Sequence, residues 1–131
     1  MSEKKLILAI DDDPVSLNTL VGLLKDDYKV STSISAANAI IMMEQVLPDL
    51  ILLDVGMPEV SGFEFLQKIK KIPKFRNIPV VIVTGHYETE FIIHAENSGA
   101  SSVACKPVDR EDLFRKINAA LERPKKNIVK P

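Results

Sequence analysis

Short apolar segments alternate five times with stretches of helical periodicity, and this alternation constrains the fold more than any other feature of the chain. The segments are rich in leucine or β-branched residues and are bounded by turn residues or charges, which is typical of strands. They read KLILAI, YKVSTS, DLILLD, IPVVIVT and SSVAC. The first, third and fourth are apolar at consecutive positions, as expected for parallel strands covered on both faces, whereas YKVSTS alternates like an edge strand. This order predicts an α/β fold, with an open parallel (βα)₅ sheet and helices on both faces.

The stretches between these segments carry the start and stop signals of helices. Asp13 can cap the first helix with Pro14 at its first position, and the fourth helix is expected over residues 88–98, before Gly99. The other signals are Pro48 at the end of the second helix, Gly62 at the start of the third and Asp109 at the start of the fifth. Helical spacing predicts inward-facing side chains at Leu17, Leu20, Val21, Leu24, Ala36, Ile40, Met43, Leu47, Phe65, Leu66, Ile69, Leu113, Ile117 and Leu121.

The bulk composition excludes several classes of protein. The 131 residues suit one ordinary domain, and 46% apolar with 27% charged residues fit a soluble globular chain. Seventeen basic and 18 acidic residues give a net charge of −1, which argues against direct binding of nucleic acid. No apolar run approaches the roughly 20 residues of a membrane span, and no signal peptide is recognisable. The single cysteine excludes an internal disulfide and suits the cytoplasm.

Polar residues stand at the ends of four of the five predicted strands. They are Asp11 and Asp12 after the first strand, Asp54 after the third, Thr84 at the end of the fourth and Lys106 after the fifth. In a doubly wound sheet, ligands bind outside the carboxyl ends of the strands. If the second strand is an edge, four neighbouring strands deliver these side chains to one crevice.

Three carboxylates in one crevice would repel one another and destabilise the fold unless a cation lay among them. A few oxygen ligands that leave room for water and phosphate oxygens suit Mg²⁺ better than Zn²⁺ or Ca²⁺. The sequence offers no zinc set, because His86 and His94 are isolated and Cys105 is expected in the core. A Mg²⁺ site beside a lysine and a threonine hydroxyl has the parts for phosphoryl transfer, in which a carboxylate attacks phosphorus.

The segments AIDDDP, LILLDVGMP, VVIVTGH and SSVACKP, in this order and spacing, resemble the receiver domain of bacterial two-component response regulators. Each motif alone is weakly specific, but the four together at strand ends are highly specific. The resemblance covers about residues 4–122 and implies a flavodoxin-like, doubly wound sheet of strand order 2-1-3-4-5. We therefore expect a receiver domain over residues 1–122, and the charge, the prolines and the weak periodicity of the end of the chain predict a linker or tail over 123–131.

The resemblance implies a phosphorelay switch that acts on no separate substrate and catalyses its own phosphorylation and dephosphorylation. Asp54 would accept a phosphoryl group from a histidine kinase or a phosphotransfer protein. Mg²⁺ would be bound by Asp12 directly, by Asp11 mostly through water, by Asp54 and by the backbone carbonyl of Gly56.

Further roles implied by the resemblance concern the response to phosphorylation. Thr84 would contact the phosphoryl group and move with it, and Lys106, which would precede a cis peptide bond to Pro107, would pair with the phosphoryl oxygens. The family often has an aromatic residue three positions before the lysine, and Val103 stands there instead. An aromatic rotamer switch therefore cannot operate in this chain. We also hypothesise that His86, at a variable position near the site, makes the phosphoryl lifetime sensitive to pH.

The output surface implied by the resemblance consists of helix 4, strand 5 and helix 5. It would bind an unknown output protein or domain, or a second copy of the phosphorylated chain. Phe91, Ile92 and Ile93 cannot all face inward on one helix, which favours an exposed apolar surface on helix 4. The sequence leaves open whether the receiver stands alone or is part of a longer protein.

The sequence also has three alternative interpretations. DDDPV fits the nucleophile motif of haloacid-dehalogenase-like phosphatases, with Asp11 as nucleophile and Asp13 as general acid. That reading lacks a further acidic strand end after the lysine and leaves Asp54 unexplained. A flavodoxin-type flavin module would need a first loop that binds the flavin phosphate, but the aspartates in the first loop of this chain would repel that phosphate. A constitutive, unphosphorylated receiver has no use for the complete acidic, threonine and lysine set.

Overall fold

The computed structural model describes residues 4–55, 62–85 and 88–122. Within these residues, strands and helices alternate strictly, in the order that the sequence predicts. The elements are β1 (Leu6–Ile10), α1 (Pro14–Leu24), β2 (Lys29–Ser33), α2 (Ala36–Gln45), β3 (Leu50–Leu53), α3 (Gly62–Lys70), β4 (Val80–Thr84), α4 (Thr89–Asn97), β5 (Ser102–Cys105) and α5 (Arg110–Glu122). No helix in the described ranges is long and apolar enough to cross a membrane.

The five strands form one parallel sheet of order β2-β1-β3-β4-β5. This confirms the doubly wound fold and the position of β2 at an edge. Because β2 lies on one side of β1 and β3 on the other, the connections that leave β1 and β3 diverge to opposite faces. The divergence opens a crevice at the carboxyl ends of these two strands, where such folds bind ligands.

The sheet separates two apolar clusters, one beneath each layer of helices. Along β3, Ile51 and Leu53 pack into the cluster beneath α2, α3 and α4, whereas Leu50 and Leu52 pack into the cluster beneath α1 and α5. None of these four side chains is more than 1% exposed. Consecutive apolar residues in a strand therefore reflect burial on both faces, as predicted.

The helix boundaries follow local chemistry, with one departure from the sequence expectation. Asp13 caps α1 and accepts a hydrogen bond from the amide of Val15, with Pro14 at the first helical position. The prediction that Leu47 faces inward on α2 is wrong, because α2 ends at Gln45 and Leu47 is 50% exposed. The proline that follows Leu47 disfavours a helical backbone at that residue, and the chain is already extended at Val46.

Candidate metal and phosphoacceptor site

The carboxylates of Asp11, Asp12 and Asp54 meet at the carboxyl ends of β1 and β3. One oxygen from each lies within 4.8 Å of the others. The sheet produces this arrangement, because Ile10 pairs with Leu53 in the register and the amide of Asp54 donates to the carbonyl of Ile10 at 3.0 Å. Asp11 is buried, Asp54 is half-buried and Asp12 is exposed. The cluster is therefore anchored in the sheet and open on one side.

This donor set fits a small, hard divalent cation. Two ligands at about 2.1 Å from Mg²⁺ lie about 3–4 Å apart, and the three carboxylate oxygens are close enough to share one ion. The exposed side of the cluster leaves room for water or phosphate oxygens, which Mg²⁺ retains among its ligands. The residues present therefore suit Mg²⁺, as the sequence predicts.

Lys106 contacts the buried carboxylate of the cluster, Asp11. Its ammonium donates to Asp11 Oδ2 at 3.1 Å and to Ser16 Oγ at 3.2 Å. The second carboxylate oxygen of Asp11 accepts from the amide of Asp13 at 3.0 Å. A buried carboxylate needs such partners, because an unpaired charge in the interior is strongly destabilising.

Thr84 is the last residue of β4 and is 1% exposed. Its carbonyl accepts from the amide of Lys106 at 2.7 Å, so the ends of β4 and β5 are tied together. The peptide bond between Lys106 and Pro107 is cis, which confirms that prediction. All the side chains expected at the strand ends thus lie at one end of the sheet. Gly56 and His86 lie outside the described residues, and so does the segment 123–131.

Two residues that contact the site were not singled out for this role from the sequence. Ser16 accepts from Lys106, and its own hydroxyl donates to Asp13 Oδ2 at 3.3 Å. Gly62 packs so closely on the preceding strand end that a Cβ there would lie 2.4 Å from Val55 Cα and 2.8 Å from the Asp54 carbonyl oxygen. Spacing alone hints at Ser16, four residues before a buried leucine of α1. Only the fold shows why Gly62 must be small.

The family model of the response regulator receiver domain matches residues 7–118. This chain belongs to the receiver domain family. As a receiver domain it is a signalling domain of two-component systems, and its family implies signalling through a phosphoacceptor.

Individual relatives agree with this assignment. The receiver domain is 34% identical over 112 residues to an uncharacterized 14.6 kDa protein of Leptolyngbya boryana, covering 85% of this chain and 86% of that protein. It is 32% identical to Protein PilH of Pseudomonas aeruginosa, covering 88% of this chain and 96% of PilH. It is 38% identical to Response regulator PleD of Caulobacter vibrioides over 86% of this chain, but it spans only 25% of PleD.

Solved structures share the fold. A CheY-like receiver domain protein from Methanospirillum hungatei superposes with a TM-score of 0.80 at 30% identity, covering 92% of this chain and 95% of that one. A response regulator from Chloroflexus aurantiacus, at 23% identity, superposes with a TM-score of 0.88, covering 92% of this chain and all of that one. The receiver domain architecture therefore extends over nearly the whole chain.

Proposed function

We propose that this receiver domain is a phosphorylation-dependent switch in which Asp54 accepts a phosphoryl group from a histidine kinase or a phosphotransfer protein. The observation that carries the proposal is the meeting of Asp11, Asp12 and Asp54 within 4.8 Å, with the Lys106 ammonium bonded to Asp11. Acidic oxygens that can hold a metal ion, with a lysine ammonium beside them, are groups that phosphoryl transfer uses.

In the proposed reaction, a carboxylate oxygen of Asp54 attacks phosphorus. The P–O bond forms as the P–N bond to the donor histidine breaks, and the imidazole nitrogen leaves with the electron pair and takes up a proton. Asp11, Asp12, Asp54 and the carbonyl of Gly56 would hold Mg²⁺, which supplies positive charge for the phosphoryl oxygens when bound. The ammonium of Lys106 donates to a phosphoryl oxygen, and so does the hydroxyl of Thr84. The domain performs this chemistry on itself and acts on no separate substrate.

The proposed output follows from where these two donors lie. Thr84 ends β4 and Lys106 follows β5, so a pull on both side chains displaces the α4–β5–α5 face. Val103 packs in the cluster beneath α2, α3 and α4 and is 8% exposed. Because this valine cannot act as an aromatic switch, the conformational change would be transmitted by the movement of Thr84 and α4. Ile93, 50% exposed on α4, would belong to a face that binds an output protein or a second phosphorylated copy.

The experiment is intact-mass measurement and peptide mapping after incubation with acetyl phosphate and Mg²⁺. We expect a labile addition of about 80 Da, one phosphoryl group, on the Asp54 peptide. It should be absent in Asp54→Asn and reduced by EDTA or by Asp11→Asn. Asp26→Asn is the matched control, because that exposed residue follows the far end of α1.

The other outcomes discriminate between the rival functions. Label on Asp11 would support the phosphatase reading, in which that residue is the nucleophile. A wild type that gains no label on any aspartate would leave a constitutive interaction module.

A further inference from the structure

Ser16 links the proposed phosphoryl-binding lysine to the start of α1. Its hydroxyl oxygen accepts from the Lys106 ammonium at 3.2 Å, and its proton is directed to Asp13 Oδ2 at 3.3 Å. Asp13 is itself fixed by its cap to the amide of Val15 at 3.0 Å. The result is a chain of hydrogen bonds from the helix cap through Ser16 to Lys106.

The position of Ser16 on α1 explains why it reaches the site. It lies four and eight residues before Leu20 and Leu24, which are buried against the sheet, and residues at this spacing share one face of a helix. Ser16 therefore occupies the first place of the inward-facing column, at the end nearest the strand ends. A leucine in that place would extend the apolar column, whereas serine places a hydroxyl beside Lys106.

The consequence concerns the freedom of the lysine side chain. A lysine has four flexible bonds and loses much conformational entropy when its ammonium is fixed. Asp11 and Ser16 together fix the ammonium of Lys106 beside the acidic cluster. Because the Ser16 hydroxyl donates its hydrogen bond to Asp13, its oxygen lone pairs are free to accept from the lysine.

We propose that Ser16 is a positioning residue for Lys106, which it holds ready before the phosphoryl group arrives and so speeds uptake at Asp54. This inference rests on the proposed function. It assigns to α1 a direct part in preparing the lysine, in addition to the carboxylate of Asp11.

The test is a double-mutant cycle read out as the initial rate of uptake from acetyl phosphate. Ser16→Ala should slow uptake about 5-fold, the effect of one lost hydrogen bond, and Ser16→Thr, which keeps the hydroxyl, should restore most of the rate. In a Lys106→Met background the Ser16→Ala change should have no further effect. Thr19→Ala is the matched control, because it removes a hydroxyl of α1 that donates to the carbonyl of Val15, and it should leave the rate unchanged.

A second readout needs no phosphodonor. Exchange of the Lys106 ammonium protons with water, followed by NMR, should be faster in Ser16→Ala than in wild type or Thr19→Ala. Equal exchange rates would overturn the inference, as would an equal slowing by Ser16→Ala in the presence and absence of the lysine. A wild type that takes up no phosphoryl group would overturn the proposed function and this role together, whereas normal uptake with additive variants would overturn the role of Ser16 alone.

Discussion

Asp11 is the most deeply buried of the three clustered carboxylates. It is 2% exposed, and its two oxygens accept from the ammonium of Lys106 and the amide of Asp13. Asp12 and Asp54 each place a further carboxylate oxygen within 4.8 Å of it. Like charges held this close disfavour the folded state, so we expect a bound cation to stabilise it.

The variant Asp12→Asn tests whether the carboxylates repel one another in the absence of a cation. In metal-free buffer it should be more stable to urea than wild type, because one of three repelling charges is gone. Added Mg²⁺ should stabilise the wild type by about 2.7 kcal/mol at a concentration 100 times its Kd, and should stabilise Asp12→Asn much less at the same concentration. An equal gain from Mg²⁺ in both proteins would contradict the assignment of Asp12 as a ligand.

The pH dependence of stability has an identifiable source on α5. The pKa of the Asp112 carboxyl lies below its ordinary value, mainly because Lys116 donates a hydrogen bond to it at 2.9 Å. Burial raises this pKa, and the positive charges of Lys116 and Arg115 lower it further. A lowered folded-state pKa stabilises the protein above the unfolded-state value of about 4 and ceases to do so as the pH falls through the folded-state value.

The variant Asp112→Asn should therefore lose stability at neutral pH and match wild type in acid. We expect a loss of about 0.5 kcal/mol at pH 7, typical of a partly exposed ion pair, which shrinks towards zero as the pH falls below about 4. Urea unfolding at four pH values measures this difference. Glu111→Gln, on the exposed side of the same turn, is the control and should keep the wild-type pH dependence.

At the scale of elements, the sequence predicted what depends on local pattern. The strands were found because three of them are apolar on both faces, and α1 because Asp13 and Pro14 are specific start signals. Cys105, expected in the core, is only partly buried, because it ends the edge strand β5. The role of Gly62 was missed because its contact with Val55 depends on how α3 meets β3, which no local pattern encodes.

A pair of glycine variants separates local propensity from tertiary contact. Gly62→Ala should lower the free energy of unfolding by about 1–3 kcal/mol, as overpacking does, and should slow uptake at Asp54, whose carbonyl oxygen would lie 2.8 Å from the new Cβ. Gly22 lies on an exposed turn of α1, and a Cβ there would have no atom within 4 Å. Gly22→Ala should therefore raise the free energy of unfolding by about 1 kcal/mol. Urea unfolding of both variants gives the comparison, and equal effects would contradict the close packing of α3.

At the scale of the whole molecule, the open parallel sheet was predicted because the alternation of elements permits few topologies, whereas the strand order 2-1-3-4-5 was implied by the resemblance to receiver domains. The sequence placed Asp11, Asp12, Asp54, Thr84 and Lys106 at one end of the sheet, and they lie there. Distances between side chains could not be predicted, because they depend on packing between elements that are distant along the chain. The roles of these residues, and the partners, stay predictions.

The proposed domain boundary gives a prediction of its own. A chain that ends at Glu122 should unfold with the same free energy as the full sequence and take up the phosphoryl group at the same rate. A chain that ends at Lys116 lacks Ile117 and Ala120, which are 0% and 5% exposed, and should lose several kcal/mol, roughly 2–5 for the isoleucine alone. Denaturant titration of the two truncated chains measures their free energies of unfolding. A large loss of stability in the chain that ends at Glu122 would show that the domain extends beyond that residue.

The placement of all the proposed chemistry at one end of the sheet has a consequence for how such a protein diversifies. Asp54 and Lys106 are held by backbone bonds to Ile10 and Thr84, so the reaction makes no demand on the outward faces of α2 and α3. Those faces can change by drift without loss of the reaction and acquire new partners one substitution at a time. The reaction site and the surfaces that bind other proteins can therefore evolve independently of each other within one chain.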